Sequence, residues 1–235
     1  MKRVLLFIAI ALSMVSNAQD TPLVSFTEAT LAAGSYRGTF TATYFYNWRF
    51  GKNDRLAVGT GARFTSFLGS NLYYITAPAA LTSGSTGPLV LFKENISENI
   101  DSFLIKSPQV NSLNIAINIE YRFGNNLTGG FNIDALGFSF GKKTRANYIN
   151  GDQGKITNAS PTAFNILLVS DNDRGSLNSE FYARYFLNQK IALKGAAQFL
   201  FTEYTAETEV QEEPQKNDRF RNKALLLAIG ISYKL

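Results

Sequence analysis

Histidine and cysteine are both absent from the 235 residues of this chain. Without imidazole or thiolate there can be no Ser-His-Asp or Cys-His catalysis, no HExxH zinc helix, no zinc finger and no disulfide framework. Charge is scarce as well, at 17% of residues, against about 25% in an average soluble domain. Hydrophobic residues make up 45% and aromatic residues 13%, which rules out a disordered chain. The formal net charge of +5 is too small and too dispersed for a nucleic-acid partner. No cofactor and no metal site is expected.

Long apolar runs are missing too, except at the start. Lys2 and Arg3 precede the almost wholly apolar stretch Val4 to Val15, and Ser16-Asn17-Ala18 offers small residues where a signal peptidase reads them. The stretch is shorter than the roughly 20 residues of a membrane helix. Residues 1–18 are therefore expected to be a cleaved export signal, and 19–235 a single domain. Because no cysteine follows the signal, a lipoprotein's lipid anchor is not expected.

The rest of the chain alternates. Leu113, Ile115, Ile117, Ile119, Tyr121 and Phe123 fall on one face of a strand, and Ser112, Asn114, Ala116, Asn118, Glu120 and Arg122 on the other. The same period of two runs through Leu177 to Leu187 and through Ala224 to Leu235. Three junctions are short and rich in Gly, Asn and Asp: Gly51 to Arg55, Gly124-Asn125-Asn126, and Asn188-Gln189-Lys190. These read as hairpin turns. Between them lie longer, less regular stretches at about 69–110, 141–175 and 206–222. Strands are expected at about 38–50, 56–68, 111–123, 127–140, 176–187, 191–204 and 223–235. An eighth is expected near 23–32, where the apolar residues fall on both faces.

Strands of this length, with short turns at one end and long loops at the other, predict an all-β, closed, antiparallel up-and-down transmembrane β-barrel. Eight strands are expected, or ten if Leu72-Tyr73-Tyr74-Ile75 and Leu89-Val90-Leu91-Phe92 also cross the membrane. A soluble exported β-sandwich also alternates, but it needs a charged outer face. At this point the chain resembles the small eight-stranded outer-membrane barrels of Gram-negative bacteria, of which OmpA and OmpX are members. The likeness is one of patterning over nearly the whole mature chain. It implies an outer-membrane location in contact with lipid, including lipopolysaccharide. It also implies assembly through a last strand that alternates and ends in an aromatic residue, which the barrel assembly machinery reads. Here Leu227, Ile229, Ile231 and Tyr233 keep that alternation, while Leu235 replaces the terminal aromatic.

Polarity assigns the faces. Phe40, Ala42, Tyr44, Tyr46, Trp48 and Phe50 belong to a lipid-facing set without charge, as do Leu56, Val58, Ala62, Phe64 and Leu68, and Ile191, Leu193, Ala197, Phe199 and Phe201. The opposite faces put Arg49, Arg63, Glu120, Arg122, Asp134, Glu180, Arg184 and Lys194 inside, with Lys234, as a structural lumen network. An eight-stranded barrel is only wide enough for its side chains to fill, so these charges must pair. Counting out from the third short turn sets Arg184 opposite Lys194, a repulsive pair for which Glu120 or Glu180 is the expected partner. Counting from the first turn sets Phe45 opposite Gly61 and Thr43 opposite Arg63. A catalytic use of Glu120 and Glu180 is the weaker reading.

Function is expected in the long loops. The first and second contain apolar segments suited to an extra hairpin or a cap over the mouth. The third carries Glu203, Glu207, Glu209, Glu212 and Glu213, then Lys216, Arg219, Arg221 and Lys223. It reads as a solvated loop, or as a divalent-ion or lipopolysaccharide contact. The expected role is non-enzymatic, structural or surface-interacting, with no surface partner identified. A porin-like small-solute channel or a ligand-binding barrel is the alternative.

Overall fold

The structure is a computed structural model that describes residues 23–84, 94–149, 155–168 and 172–235. The export signal and Leu89-Val90-Leu91-Phe92 lie outside the described residues. Thirteen strands occur among the described residues: β1 (Leu23–Gly34), β2 (Arg37–Phe50), β3 (Leu56–Gly69), β4 (Leu72–Thr76), β5 (Ser102–Ile105), β6 (Gln109–Arg122), β7 (Leu127–Phe140), β8 (Thr144–Tyr148), β9 (Ile156–Pro161), β10 (Phe164–Ile166), β11 (Leu177–Phe186), β12 (Ile191–Ala206) and β13 (Arg219–Lys234). They form one antiparallel sheet.

Eight long strands close a ring of hydrogen bonds. In chain order β1 pairs with β2, β2 with β3, β3 with β6, β6 with β7, β7 with β11, β11 with β12 and β12 with β13. β13 then returns to β1, with Ile229 opposite Leu31 and Ile231 opposite Ala29. Each strand of this ring is paired on both sides over most of its length, which satisfies backbone donors and acceptors between strands. Each of the eight expected spans falls on one of these strands.

The faces are inverted relative to a water-soluble sheet. Leu227 is 78% exposed and Ile229 73%, while Arg63 and Arg184 are fully buried. Along β6, Leu113, Ile115, Ile117, Ile119 and Tyr121 are exposed, while Ser112, Asn114, Asn118 and Glu120 are buried. On β7 one extra residue breaks the alternation. The register slips between the pairs Ile115–Leu136 and Ala116–Asp134, a bulge at Ala135 that re-aims the strand. Asp134 therefore points in, while Leu136, Phe138 and Phe140 point out.

The long connections are not the irregular stretches expected from the sequence. The pairings β13–β4, β4–β5, β5–β8, β8–β9 and β9–β12 close a second, six-membered ring on the projecting ends of β12 and β13. Leu72 to Thr76 thus pairs with Ser102 to Ile105 above the main ring instead of crossing beside it, so this segment adds no strand to the eight. Arg219 and Arg221 belong to β13 itself, where the sequence suggested a loop, and Glu203 and Lys223 lie on β12 and β13. β10 continues the line of β11 along the upper part of β7, and Leu167 N–H donates to the bulge carbonyl of Ala135. A single helical turn, α1 (Ala79–Thr82), completes this end.

Close packing inside the main ring depends on small residues. A Cβ added to Gly61 would stand 1.9 Å from the Tyr44 carbonyl oxygen and 2.7 Å from the Phe45 ring. Phe45 is indeed opposite Gly61, and Thr43 opposite Arg63. Gly61→Ala is expected to lower the fraction of protein that migrates as the compact, unheated species in a detergent gel. Gly124→Ala, in a turn with open space around it, should leave that fraction unchanged.

Candidate functional site

The charges predicted for the interior meet there, except at the short-turn rim. Arg184 is opposite Lys194, as hairpin counting required. Glu28 bridges the two cations, approaching Arg184 Nε at 2.6 Å and Lys194 Nζ at 2.7 Å. Lys194 also contacts Glu180 at 2.6 Å, and Arg184 contacts Glu120, which pairs with Arg49 at 3.3 Å. The six side chains form an unbroken chain of opposite charges from Arg49 on β2, through Glu120, Arg184, Glu28 and Lys194, to Glu180 on β11. Ser232 donates to Glu28 at 2.7 Å, and the Tyr182 ring lies under both Arg184 and Lys194.

A second cluster adjoins the first. Arg63 faces Asp134 at 3.2 Å and donates to Asn132, which in turn donates to Glu180 at 3.2 Å. The other Asp134 oxygen accepts from Asn114 Nδ2 at 2.7 Å and from the Asn178 backbone N–H at 2.9 Å. Buried carboxylates and cations balance across the ring interior: Glu28, Glu120, Asp134 and Glu180 against Arg49, Arg63, Arg184 and Lys194. This neutrality is what allows eight ions out of water.

Arg122 stands apart from this network. It is partly exposed at the short-turn rim and donates to the Asn53 carbonyl. Lys234 is likewise partly exposed there. Both lie too near the strand ends for the ring to enclose them. Glu28 is the interior residue that sequence reasoning missed. The apolar pair Val24 and Phe26 also faces inward, both of them buried, which hid the polar face of β1. The alternation Phe26, Glu28, Thr30 against Thr27, Ala29, Leu31 held the signal, since only one of the two faces carries a charge.

Toward the long-loop end the interior turns apolar. Phe67, Tyr74, Phe103, Leu200, Tyr204, Phe220 and Leu226 pack in one cluster. Phe103 and Phe220 have ring centroids 4.3 Å apart, and Tyr74 meets Tyr204 edge-on at 5.2 Å. The Tyr204 hydroxyl donates to the Gln109 carbonyl at 2.9 Å. This cluster fills the second ring and stands over the charged interior of the first. Beside it, burial and the Asp101 carboxylate push the Tyr148 phenol above the usual tyrosine range, so Tyr148 stays a hydrogen-bond donor to Asp101.

A further ion cluster braces this end. Glu203, fully buried, receives Arg219 at 2.8 Å and Arg221 at 2.8 Å. Both arginines also donate to the Asp173 carbonyl, and Glu203 N–H donates to Ser176 at 3.2 Å. At the opposite end the mouth of the main ring is a pocket of about 480 Å³, lined by Phe26, Arg49, Arg122, Thr128, Phe186 and Lys234 among others.

No family model matches this chain, and no curated protein matches it. Among solved structures the chain is similar to Neisserial surface protein A, at 10% identity over 91% of this chain and 96% of that one, with a TM-score of 0.38. It is also similar to a major outer membrane protein from Thermus thermophilus, at 13% identity over 91% of this chain and 99% of that one, with a TM-score of 0.36. A third is a de novo designed transmembrane β-barrel, at 11% identity over 90% of this chain and 95% of that one, with a TM-score of 0.34. These structural neighbours are outer-membrane and transmembrane β-barrel proteins. No residue role passes from any of them to this chain.

Each interior carboxylate is held by at least one cation within 3.3 Å. Among the described residues no group of three or more His, Cys, Asp or Glu is placed to hold a metal ion. No helix among them is long and apolar enough to cross a membrane.

Proposed function

We propose that the main ring is an eight-stranded transmembrane β-barrel of a bacterial outer membrane, non-enzymatic and closed to solutes, whose second ring presents a rigid surface for interaction outside the cell. The observation that carries this reading is the inversion of faces: exposed Leu, Ile and Phe around a sealed ring, with eight ions neutralised inside it. In water that arrangement exposes an apolar belt larger than soluble monomers tolerate, and in lipid it is the favoured one. Residues 1–18 serve as the cleaved signal, without a lipid anchor. Outer-membrane lipid, including lipopolysaccharide, surrounds the outward wall, and β13 is the strand offered to the assembly machinery.

The interior supports a plug, not a pore. The ion chain joins side chains of β1, β2, β6, β11 and β12 across the interior, and the aromatic cluster stands over it. Purified protein refolded into planar bilayers is expected to show no conductance above the lipid background, while its migration in a detergent gel shifts on heating. Steady single-channel steps would instead establish the small-solute channel, with the short-turn mouth as its vestibule. Recovery in the soluble fraction without detergent would overturn the membrane reading altogether.

A further inference from the structure

The two ends of the main ring differ in how their cations are matched. At the long-loop end three lysines meet carboxylates: Lys143 contacts Glu207, Lys155 contacts Glu212 at 3.0 Å and Lys216 contacts Glu209 at 3.4 Å. At the short-turn rim stand Arg55, Arg122, Lys190 and Lys234, and the acidic side chain described among them is Asp54. Just inside this rim the outward wall is aromatic, with Trp48, Phe50, Tyr121, Phe123, Tyr185 and Tyr233. The Lys190 ammonium lies 5.8 Å from the centre of the Tyr233 ring. Amphipathic rings suit the headgroup level of a bilayer, so the cations beyond them stand at the depth of the lipid phosphates.

One place on this rim combines both features. A cleft of about 450 Å³ opens on the outer wall between Phe50, Leu56 and Tyr121, with Arg55 exposed at its mouth. Three adjacent strands build its apolar side, since Phe50 is opposite Leu56 and Leu56 is opposite Tyr121. Arg55 directly precedes Leu56, so its guanidinium sits at the water-side end of that wall.

We infer that this cleft binds an anionic phospholipid of the leaflet facing the short turns, with the lipid phosphate on Arg55 and an acyl chain against Phe50, Leu56 and Tyr121. The inference rests on the membrane reading above. Its occupant follows from charge complementarity and from the continuity of the cleft with the lipid-facing wall. A guanidinium matches phosphate geometry, and a juxtamembrane cation favours anionic lipid.

The chain carries its own reporter, because its single tryptophan is Trp48, two residues before Phe50 on the same outward face. The test is to refold the protein into vesicles of mixed phosphatidylcholine and phosphatidylglycerol, with one or the other brominated, and to measure quenching of Trp48. Brominated phosphatidylglycerol is expected to quench more than its mole fraction predicts, corresponding to a relative association constant of about two to five. The preference should fall to one in Arg55→Ala, persist in Arg55→Lys and in the opposite-end control Lys143→Ala, and weaken in about 1 M salt. Equal quenching by the two lipids in the wild type, or a preference unchanged in Arg55→Ala, would overturn the site while leaving the membrane reading intact. Quenching by neither lipid would overturn the membrane reading, and the inference with it.

Discussion

Glu28→Gln is expected to lower the stability of the protein by about 3–5 kcal/mol, the cost of leaving a buried charge uncompensated. Glu28 is the only carboxylate among the described residues that touches both Arg184 and Lys194, at 2.6 and 2.7 Å, and those two cations face each other across β11 and β12. Without it Arg184 retains Glu120 and Lys194 retains Glu180, but the interior carries one cation more than it has anions. The double variant Glu28→Gln, Lys194→Met restores the balance and should recover most of the loss, giving a coupling energy well above that of a surface pair. Urea unfolding from vesicles, followed by Trp48 emission, measures all three proteins. A Glu28→Gln loss below about 1 kcal/mol, well short of the cost of an unpaired buried ion, would mean that the network is loosely held or hydrated and does not secure the fold.

Ile229→Arg is expected to cost about 2–4 kcal/mol of folded stability in the bilayer and to reduce insertion correspondingly. Ile229 is 73% exposed, midway along β13, with Leu31 opposite on one side and Gly195 on the other. Around it on the outward wall stand Leu31, Phe40, Leu193 and Ile231, none of which can receive the charge. Ile156→Arg makes the same chemical change at an exposed position of the second ring and is expected to be nearly neutral. The contrast between the two is what a soluble sheet does not produce, because there both positions face water. Equal, small effects at both would therefore remove the membrane reading more directly than any comparison of shapes.

Much of this architecture is legible in the residues because a two-residue period is a strong signal when it runs for ten residues or more. β6, β11 and β13 each present an apolar face and an opposite face of different character without interruption, and the short turns fix their registers. The opposition of Arg184 to Lys194, and of Phe45 to Gly61, followed from counting alone. The five shorter strands span three to six residues. At that length alternation repeats too few times to be told from chance, which is why the apolar segments suggested an extra hairpin or a cap but not a closed second ring. The bulge at Ala135 defeats the pattern differently. It changes which residues face inward partway along a strand, and only the pairing with β6 reveals where.

The candidate site divides along the same line. That charges must lie inside a sealed apolar cylinder, and must pair there, follows from the alternating pattern and the cost of burying ions. Which ions pair follows in part: Glu120 and Glu180, the partners expected for Arg184 and Lys194, do contact them, but Glu28, which bridges both cations, stands on a strand that meets them only when β13 closes on β1. The same closure separates Arg122, left at the rim, from Glu120, enclosed two residues earlier. By itself the sequence determined the inverted faces, the short-turn registers and the absence of thiol and imidazole chemistry, since each depends on residue type and local spacing. Only the tertiary structure decided the second ring, the bridging place of Glu28 and the cleft beside Arg55, since each depends on residues distant in the chain being brought within a few ångströms.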